Sequence, residues 1–189
     1  GADPAGRQPA AHHVDRDVDL HGEVGGAGAE HLEEGLSLRQ GSGEAVEQIS
    51  IIGGGIMGSG IGQELAQAGI DITIYDIDET AIDDSRYRIE SGKYGLQRAV
   101  DEGYIPEEEK IAALDRIGFT QDLRTAVSNA DAIIEAVPED LQLKGQIFRK
   151  LDSMSDDIPL YSNTSGFSVT SIANAVSDPS RVAVAHFFN

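Results

Sequence analysis

A glycine-rich run near residue 55 has the spacing of a phosphate-binding turn. It fits G-x-G-x-x-G and comprises Gly53-Gly54-Gly55-Ile56-Met57-Gly58. In this motif Gly53 permits a tight turn, Gly55 lets the backbone approach a pyrophosphate, and Gly58 lets a helix pack closely on a strand. The N–H groups that open the helix, here those of Ile56 and Met57, hold the phosphates. The motif therefore predicts dinucleotide binding.

An acidic residue, Asp76, follows Gly53 by 23 residues and ends a second apolar run. A carboxylate at this place accepts hydrogen bonds from the ribose 2'-hydroxyl of NAD and repels the 2'-phosphate of NADP. No Arg or Lys follows Asp76 until Arg86, so NAD is the favoured cofactor. The competing interpretation is that Asp76 or Asp78 caps the next helix, a frequent role for aspartate.

Polar residues that could do further chemistry follow three later apolar runs. His186 ends the run 182–186, Ser162-Asn163-Thr164-Ser165 closes the run 158–162, and acidic residues from Glu135 to Glu139 follow the run 132–136. Ligands of open α/β sheets gather outside the carboxyl ends of the strands, so these groups are expected to meet at one edge. An imidazole there could move a proton near neutral pH. Alternatively, His186 is a structural histidine.

The elements that must position these groups alternate between strand and helix. Strands are predicted at 49–52, 70–75, 132–136, 158–162 and 182–186, and helices at 56–67, 140–151 and 169–176. A long polar helix at 79–102 and another starting at Pro106 form a predicted helical hairpin. Alternating strands and helices indicate a parallel sheet covered on both faces. The predicted fold class is a doubly wound, Rossmann-type α/β domain.

Bulk composition restricts the class of protein. The 189 residues suit one domain and carry 14 Lys and Arg against 33 Asp and Glu, a net charge of −19. This charge argues against a nucleic-acid or anionic-membrane partner; it is explained either by a solvated acidic surface or by adaptation to high salt. There is no cysteine, no long apolar run and no signal-peptide pattern, so we expect a cytoplasmic protein without thiol chemistry.

Residues 1–46 differ in composition from the rest. They hold nine of the 22 glycines, four of the five histidines and no aromatic residue. Too few large apolar side chains are present to form a core, which predicts a disordered or non-native extension. The histidines are spaced irregularly, at residues 12, 13, 21 and 31, and no metal site is expected. Residues 47–189 are the predicted NAD-binding domain.

Two polar motifs near the end of the chain form a specific pair. They are Ser162-Asn163-Thr164-Ser165 and His186-Phe187-Phe188-Asn189, with 20 residues between Ser165 and His186. Together with residues 51–61 and 134–139, these motifs make the chain from Gln48 onward resemble the L-3-hydroxyacyl-CoA dehydrogenases of fatty-acid β-oxidation. The glycine motif alone is shared by many dehydrogenases, so the pair of motifs is the specific signal.

The resemblance implies a role for each matching residue. His186 corresponds to the family's catalytic base, which takes the 3-hydroxyl proton of the substrate. Ser165 corresponds to the residue that hydrogen-bonds the reacting oxygen and touches the cofactor. Glu139, Lys144 and Asn189 match family positions around the nicotinamide half of NAD.

The implied activity is NAD-dependent oxidation of L-3-hydroxyacyl-CoA to 3-oxoacyl-CoA, with an acyl-CoA substrate and a homodimeric full-length protein. The resemblance also implies an orienting glutamate and a helical second domain beyond Asn189. We therefore expect this chain to be the cofactor domain, with little activity alone. Contacts to coenzyme A in the helical hairpin are not assigned, because residues 91–98 do not align cleanly with the family pattern. The alternatives are a lysine-dependent 3-hydroxyacid dehydrogenase and a dinucleotide-binding module without turnover.

Overall fold

The computed structural model describes residues 46–155 and 157–188. Apart from Val46, the extension predicted at residues 1–46 lies outside the described residues. Strands within the described ranges form one parallel sheet in the order β3-β2-β1-β4-β5-β6. Their bounds are β1 (Gln48–Ile52), β2 (Asp71–Tyr75), β3 (Ile117–Thr120), β4 (Ala132–Glu135), β5 (Leu160–Ser162) and β6 (Val182–Val184). The strand order reverses at β1, so β1 and β4 flank the switch point where dinucleotides bind in such sheets.

Helices connect the strands on both faces of the sheet. They are α1 (Ile56–Gln67), α2 (Glu79–Ser91), α3 (Leu96–Asp101), α4 (Glu107–Asp115), α5 (Leu123–Val127), α6 (Leu141–Asp152) and α7 (Val169–Ala173), with a 3-10 turn at Pro179–Arg181. Within the described ranges, none of these helices has the length and apolar character needed to cross a bilayer. The doubly wound Rossmann-type prediction is confirmed.

Alternate residues of the strands fill two separate cores. Ile49, Ile51 and Ile74 pack on one face of the sheet with residues of α1, α2, α3 and α4. Ile52 and Ile133 pack on the other face with residues of α5, α6 and α7. Successive side chains of a strand point to opposite faces, so one strand supplies both cores. The two cores hold the carboxyl ends of β1 and β4 side by side in parallel register.

The predicted helix at 79–102 is wrong in one respect, because it is two helices. α2 ends at Ser91, and α3 begins only at Leu96. A Cβ added at Gly92 or Gly95 would lie 2.7 or 2.8 Å from the carbonyl oxygen of Arg88. The chain therefore folds back tightly on the end of α2, which only glycine permits at these two positions.

Strand β3, which is four residues long and only partly buried, was not predicted. β6 ends at Val184, two residues before the predicted end of that strand. His186 therefore lies in the segment that follows the strand. This placement puts the imidazole beyond the carboxyl edge of the sheet, where ligands of this fold are bound.

Candidate active site

The glycine turn connects β1 to α1 with almost no space for side chains inside the protein. Gly53 has φ of +119°, and a Cβ there would lie 2.7 Å from the carbonyl oxygen of Ala136, the residue directly after β4. A Cβ at Gly58 would lie 1.8 Å from the carbonyl oxygen of Gly53. These two glycines are therefore required by the packing of the protein itself.

Gly55 is different, because packing inside the described protein does not require a glycine there. Apart from Gly55 itself and its two neighbours in the chain, no residue that the structure describes has an atom within 4 Å of a Cβ built on Gly55. Its φ of −69° is open to any residue, and it caps α1 without a side-chain hydrogen bond. The first N–H groups of a helix lack partners within the helix. Open space before free N–H groups fits a bound pyrophosphate, with Ile56 and Met57 as the donors.

Asp76 braces the glycine turn from the end of β2. Its Oδ2 accepts a hydrogen bond from the Gly54 N–H at 2.8 Å, and its Oδ1 accepts one from the Asp78 N–H at 3.0 Å. Asp78, and not Asp76, caps α2, through a hydrogen bond from the Thr80 N–H. A carboxylate has about four acceptor positions, so Asp76 retains capacity for ribose hydroxyls.

The first cation after Asp76 is already engaged. The guanidinium of Arg86 lies over the ring of Phe119, 4.3 Å from its centre. Arg88 donates a hydrogen bond to the Gly54 carbonyl at 3.3 Å and forms an ion pair with Asp84 at the same distance. Neither arginine is free to pair with a ribose 2'-phosphate without losing its present contact, which is consistent with NAD in preference to NADP.

A buried ion pair lies at the end of β4. The Lys144 ammonium is 2.8 Å from Glu135 Oε1, and both side chains are 1% exposed. Glu135 Oε2 accepts a hydrogen bond from the Ser162 hydroxyl at 2.6 Å, and Oε1 also accepts one from the Val137 N–H. The pair therefore joins β4, β5 and the first turn of α6.

Glu139 joins this ion pair to the loop that contains Ser165. Its Oε2 is 3.2 Å from the Lys144 ammonium. Its Oε1 accepts hydrogen bonds from the Thr164 hydroxyl at 2.5 Å and from the N–H groups of Ser165 and Gly166 at 3.2 and 2.9 Å. Partial burial opposes ionisation, but these hydrogen bonds and the lysine hold the pKa of Glu139 below its ordinary value.

The two motifs that carry the family resemblance meet beyond β5 and β6. Asn163 Oδ1 accepts a hydrogen bond from the Phe187 N–H at 2.7 Å. The Ala185 N–H donates to the Ser162 carbonyl at 3.0 Å, which extends the pairing of the two strands. The ring of His186 lies 4.2 Å from that of Phe188. Among the residues that the structure describes, none forms a hydrogen bond with the imidazole.

The structure brings most of the predicted site residues to one edge of the sheet. Ser165 is exposed and is held by Glu139, while the ammonium of Lys144 is enclosed by carboxylates. Asn189 lies outside the described residues. Glu135 was expected at this edge but was given no role of its own, although an acidic residue that ends the apolar strand Ala132–Glu135 is a signal for a buried, paired charge.

The fold and the site first define a class: a parallel sheet with a glycine turn at its switch point and an acidic residue after β2 is a dinucleotide-binding Rossmann domain. The model of the family described as 3-hydroxyacyl-CoA dehydrogenase, NAD binding domain, matches residues 48–189. The chain therefore belongs to the 3-hydroxyacyl-CoA dehydrogenase family, and its cofactor is NAD. The predicted family and cofactor are confirmed.

Individual relatives agree with this assignment. A 3-hydroxybutyryl-CoA dehydrogenase of Mycobacterium tuberculosis is 38% identical over 148 residues, which are 77% of this chain and 50% of the relative. The human mitochondrial hydroxyacyl-coenzyme A dehydrogenase is 33% identical over 147 residues, 76% of this chain and 47% of the relative. The chain thus spans about half the length of the curated relatives it matches.

Solved structures show the same backbone. The crystal structure of Mycobacterium tuberculosis FadB2 superposes with a TM-score of 0.72 at 38% identity, over 77% of this chain and 50% of that protein. The 3-hydroxybutyryl-CoA dehydrogenase of Escherichia coli gives a TM-score of 0.73 at 33% identity, over 77% of this chain and 30% of that protein. Membership in this family disfavours the alternative of a lysine-dependent 3-hydroxyacid dehydrogenase.

Proposed function

We propose that this chain is the cofactor domain of an enzyme that oxidises L-3-hydroxyacyl-CoA to 3-oxoacyl-CoA with NAD. The observation that carries the proposal is the contact between Asn163 and Phe187, which joins the Ser165 loop to the His186 segment at the carboxyl edge of the sheet. The same edge holds the glycine turn and its open space in front of Gly55. The groups that bind the phosphates of NAD and the group that takes a proton from the substrate therefore lie at the same edge, where the two ligands can meet.

The residues at this edge have different roles in the proposed reaction. NAD, when bound, supplies the hydride acceptor. We assign His186 the removal of the 3-hydroxyl proton, because an imidazole can accept a proton near neutral pH. We assign the exposed hydroxyl of Ser165 a hydrogen bond to the reacting oxygen. Glu139 fixes that loop through its three hydrogen bonds to Thr164, Ser165 and Gly166.

The 189-residue chain alone should bind NAD but turn over substrate slowly. Within the described residues the imidazole of His186 lies tilted against the ring of Phe188, 4.2 Å between the ring centres, and is not oriented by a hydrogen bond. A misplacement of about 1 Å can cost about 100-fold in rate. We therefore propose that the orienting carboxylate, the acyl pocket and the dimer contacts belong to the full-length gene product. An acyl-CoA partner and the lack of nucleic-acid binding are part of this proposal.

The test is a steady-state assay of NADH formation from L-3-hydroxybutyryl-CoA. The wild-type full-length protein should be active, and His186→Gln should lower kcat by at least about 100-fold, the scale of general-base catalysis. The same substitution should leave NADH affinity nearly unchanged, which separates chemistry from binding.

Three results would each contradict a part of the proposal. If the full-length protein binds NADH but forms none from any hydroxyacyl-CoA, the chain is a dinucleotide-binding module without turnover. If His186→Gln keeps the wild-type kcat, another residue is the base. Rapid turnover by the 189-residue chain alone would instead refute the argument that parts of the active site lie elsewhere.

A further inference from the structure

A continuous series of polar contacts begins and ends in the same tetrapeptide, residues 162–165. It runs from the hydroxyl of Ser162 to Glu135, from Glu135 to Lys144, from Lys144 to Glu139, and from Glu139 to the N–H of Ser165. Every step joins a different element, namely β5, β4, α6 and two loops. The series therefore closes a ring around the base of the Ser165 loop.

The ammonium of Lys144 is fully committed within this ring. It has three donor hydrogens and three acceptors: Glu135 Oε1 at 2.8 Å, Glu139 Oε2 at 3.2 Å and the Val137 carbonyl at 3.4 Å. The shortest of these contacts is to Glu135, the carboxylate that is as deeply buried as the lysine. Glu135 therefore makes the closest contact that holds the ammonium, and the ammonium in turn holds Glu139 Oε2.

Stability alone does not explain this arrangement. A buried ion pair is often replaceable by apolar residues without loss of stability, because removing two charges from water costs as much as their attraction returns. The ring nevertheless contains two carboxylates and one ammonium. It meets solvent at Glu139, whose side chain is 39% exposed and contacts the Ser165 loop. Positional control of that loop is the function that the geometry favours.

We propose that Glu135 is a positioning residue, which acts through Lys144 and Glu139 to hold the Ser165 loop where the nicotinamide half of the cofactor is bound. The inference rests on the proposed function and gives Glu135 a role that the family resemblance did not assign to it. Asp76 at the end of β2 marks the adenosine side of the crevice, so the ring at β4 and β5 lies on the nicotinamide side.

The first test compares two ligands on the 189-residue chain by calorimetric titration. NADH spans both halves of the crevice, whereas ADP carries only the adenosine and pyrophosphate half. Glu135→Gln keeps the shape of the side chain but removes its charge. We expect this variant to bind NADH about tenfold more weakly, equivalent to about 1.4 kcal/mol, with unchanged ADP affinity. A purely structural role would lower both affinities together or neither.

The second test asks whether Glu135 acts through Lys144. Lys144→Met removes the ammonium, and the double variant Glu135→Gln/Lys144→Met has no uncompensated buried charge at this pair, so it provides a folded protein if Glu135→Gln alone unfolds. We expect the double variant to bind NADH no more weakly than Lys144→Met. An additional tenfold loss in the double variant would show that Glu135 acts independently and would overturn the proposal.

Asp152→Asn is the matched control, because it removes the charge from a different ion pair, the partly buried pair of Asp152 with Arg181 at the opposite edge of the sheet. This variant should lower the unfolding midpoint without changing the ratio of NADH to ADP affinity. If the wild-type protein binds ADP but binds NADH no more tightly, the nicotinamide half adds no affinity and the proposed function fails. If wild-type NADH binding is tight and Glu135→Gln does not change the ratio, only the positioning role fails.

Discussion

The side-chain oxygen of Asn163 accepts a hydrogen bond from the backbone N–H of Phe187, the residue directly after His186, at 2.7 Å. Two motifs separated by 20 residues in the sequence are therefore joined by one contact. The backbone of Asn163 is held as well, because its N–H donates a hydrogen bond to the Glu135 carbonyl at 2.8 Å. The position of the imidazole thus depends on the end of β4.

Removing this contact should slow catalysis without weakening cofactor binding. Asn163→Ala leaves the Phe187 N–H without its partner, which should cost about 1 kcal/mol of stability and speed hydrogen exchange at that amide. In the full-length protein we expect kcat to fall about tenfold or more, because small misplacements of a base are costly. Asn163→Asp keeps an acceptor oxygen and should retain more activity. Equal kcat in Asn163→Ala and wild type would contradict the positioning of His186 by Asn163.

Two glycines of the same motif should respond oppositely to alanine. Gly55→Ala places a methyl group in open space, so the unfolding midpoint should stay unchanged while NADH affinity falls. Gly58→Ala forces a methyl group onto the Gly53 carbonyl, and overpacking of this kind costs about 1–3 kcal/mol. Urea unfolding and NADH titration of both variants check the pair. A destabilised Gly55→Ala protein with normal NADH affinity would show that Gly55 serves packing.

Asp76 should discriminate NADH from NADPH. Its carboxylate repels a 2'-phosphate, and Arg86 and Arg88 are engaged by Phe119 and Asp84. We expect the wild-type protein to bind NADH more tightly than NADPH. Asp76→Asn, which keeps an acceptor for the Gly54 N–H, should reduce this difference in affinity. Competitive titration of the two dinucleotides measures the two affinities. Equal affinities in the wild-type protein would remove Asp76 from this role.

The lowered pKa of Glu139 predicts a pH-dependent contribution to stability. A carboxylate whose folded pKa lies below its unfolded value stabilises the fold above the unfolded pKa, about 4.3 for glutamate, and loses that effect as pH falls through the folded value. Wild type should therefore exceed Glu139→Gln in stability at about pH 6.5, and the difference should shrink at about pH 3.5. Urea unfolding at the two pH values tests this. A difference that is constant or grows in acid would contradict the assignment.

Salt should stabilise the domain and its complex with NADH. Residues 47–189 carry 24 acidic and 11 basic side chains, so the anionic cofactor binds against the field of the protein. At about 1 M salt the screening length falls to about 3 Å, which relieves both kinds of repulsion. We expect the unfolding midpoint and NADH affinity to rise between low salt and about 1 M KCl. If neither rises, the prediction of adaptation to high salt is wrong.

Features that depend only on neighbouring residues, such as the glycine turn and the start of the helix after it, could be predicted from the sequence. The run from Gly53 to Gly58 predicted both the turn and the start of α1, because packing requires glycine at Gly53 and Gly58 and the space at Gly55 is left open for a ligand. The break at Gly92 and Gly95 was not predicted, since it depends on the close return of the chain to Arg88.

Glu135 and Lys144 illustrate what a single sequence does not reveal. Their nine-residue separation matches no helical or strand period, and their contact arises only when β4 and α6 pack against each other. Ser162 and Glu139 complete the ring from still other segments. The sequence predicts that polar residues gather at the ends of these strands, but the contacts that join them into a ring depend on how β4, β5 and α6 pack together.

The close approach of Gly53 to Ala136 has a consequence for evolution and engineering. The phosphate turn after β1 and the acidic end of β4 share one backbone junction, so a substitution that widens the first displaces the second. Changes of dinucleotide preference can therefore be introduced most safely at the β2 side, around the exposed Ile77. The segments that form the β1–β4 junction should be kept together, without separate substitutions, whenever this domain is recombined or redesigned.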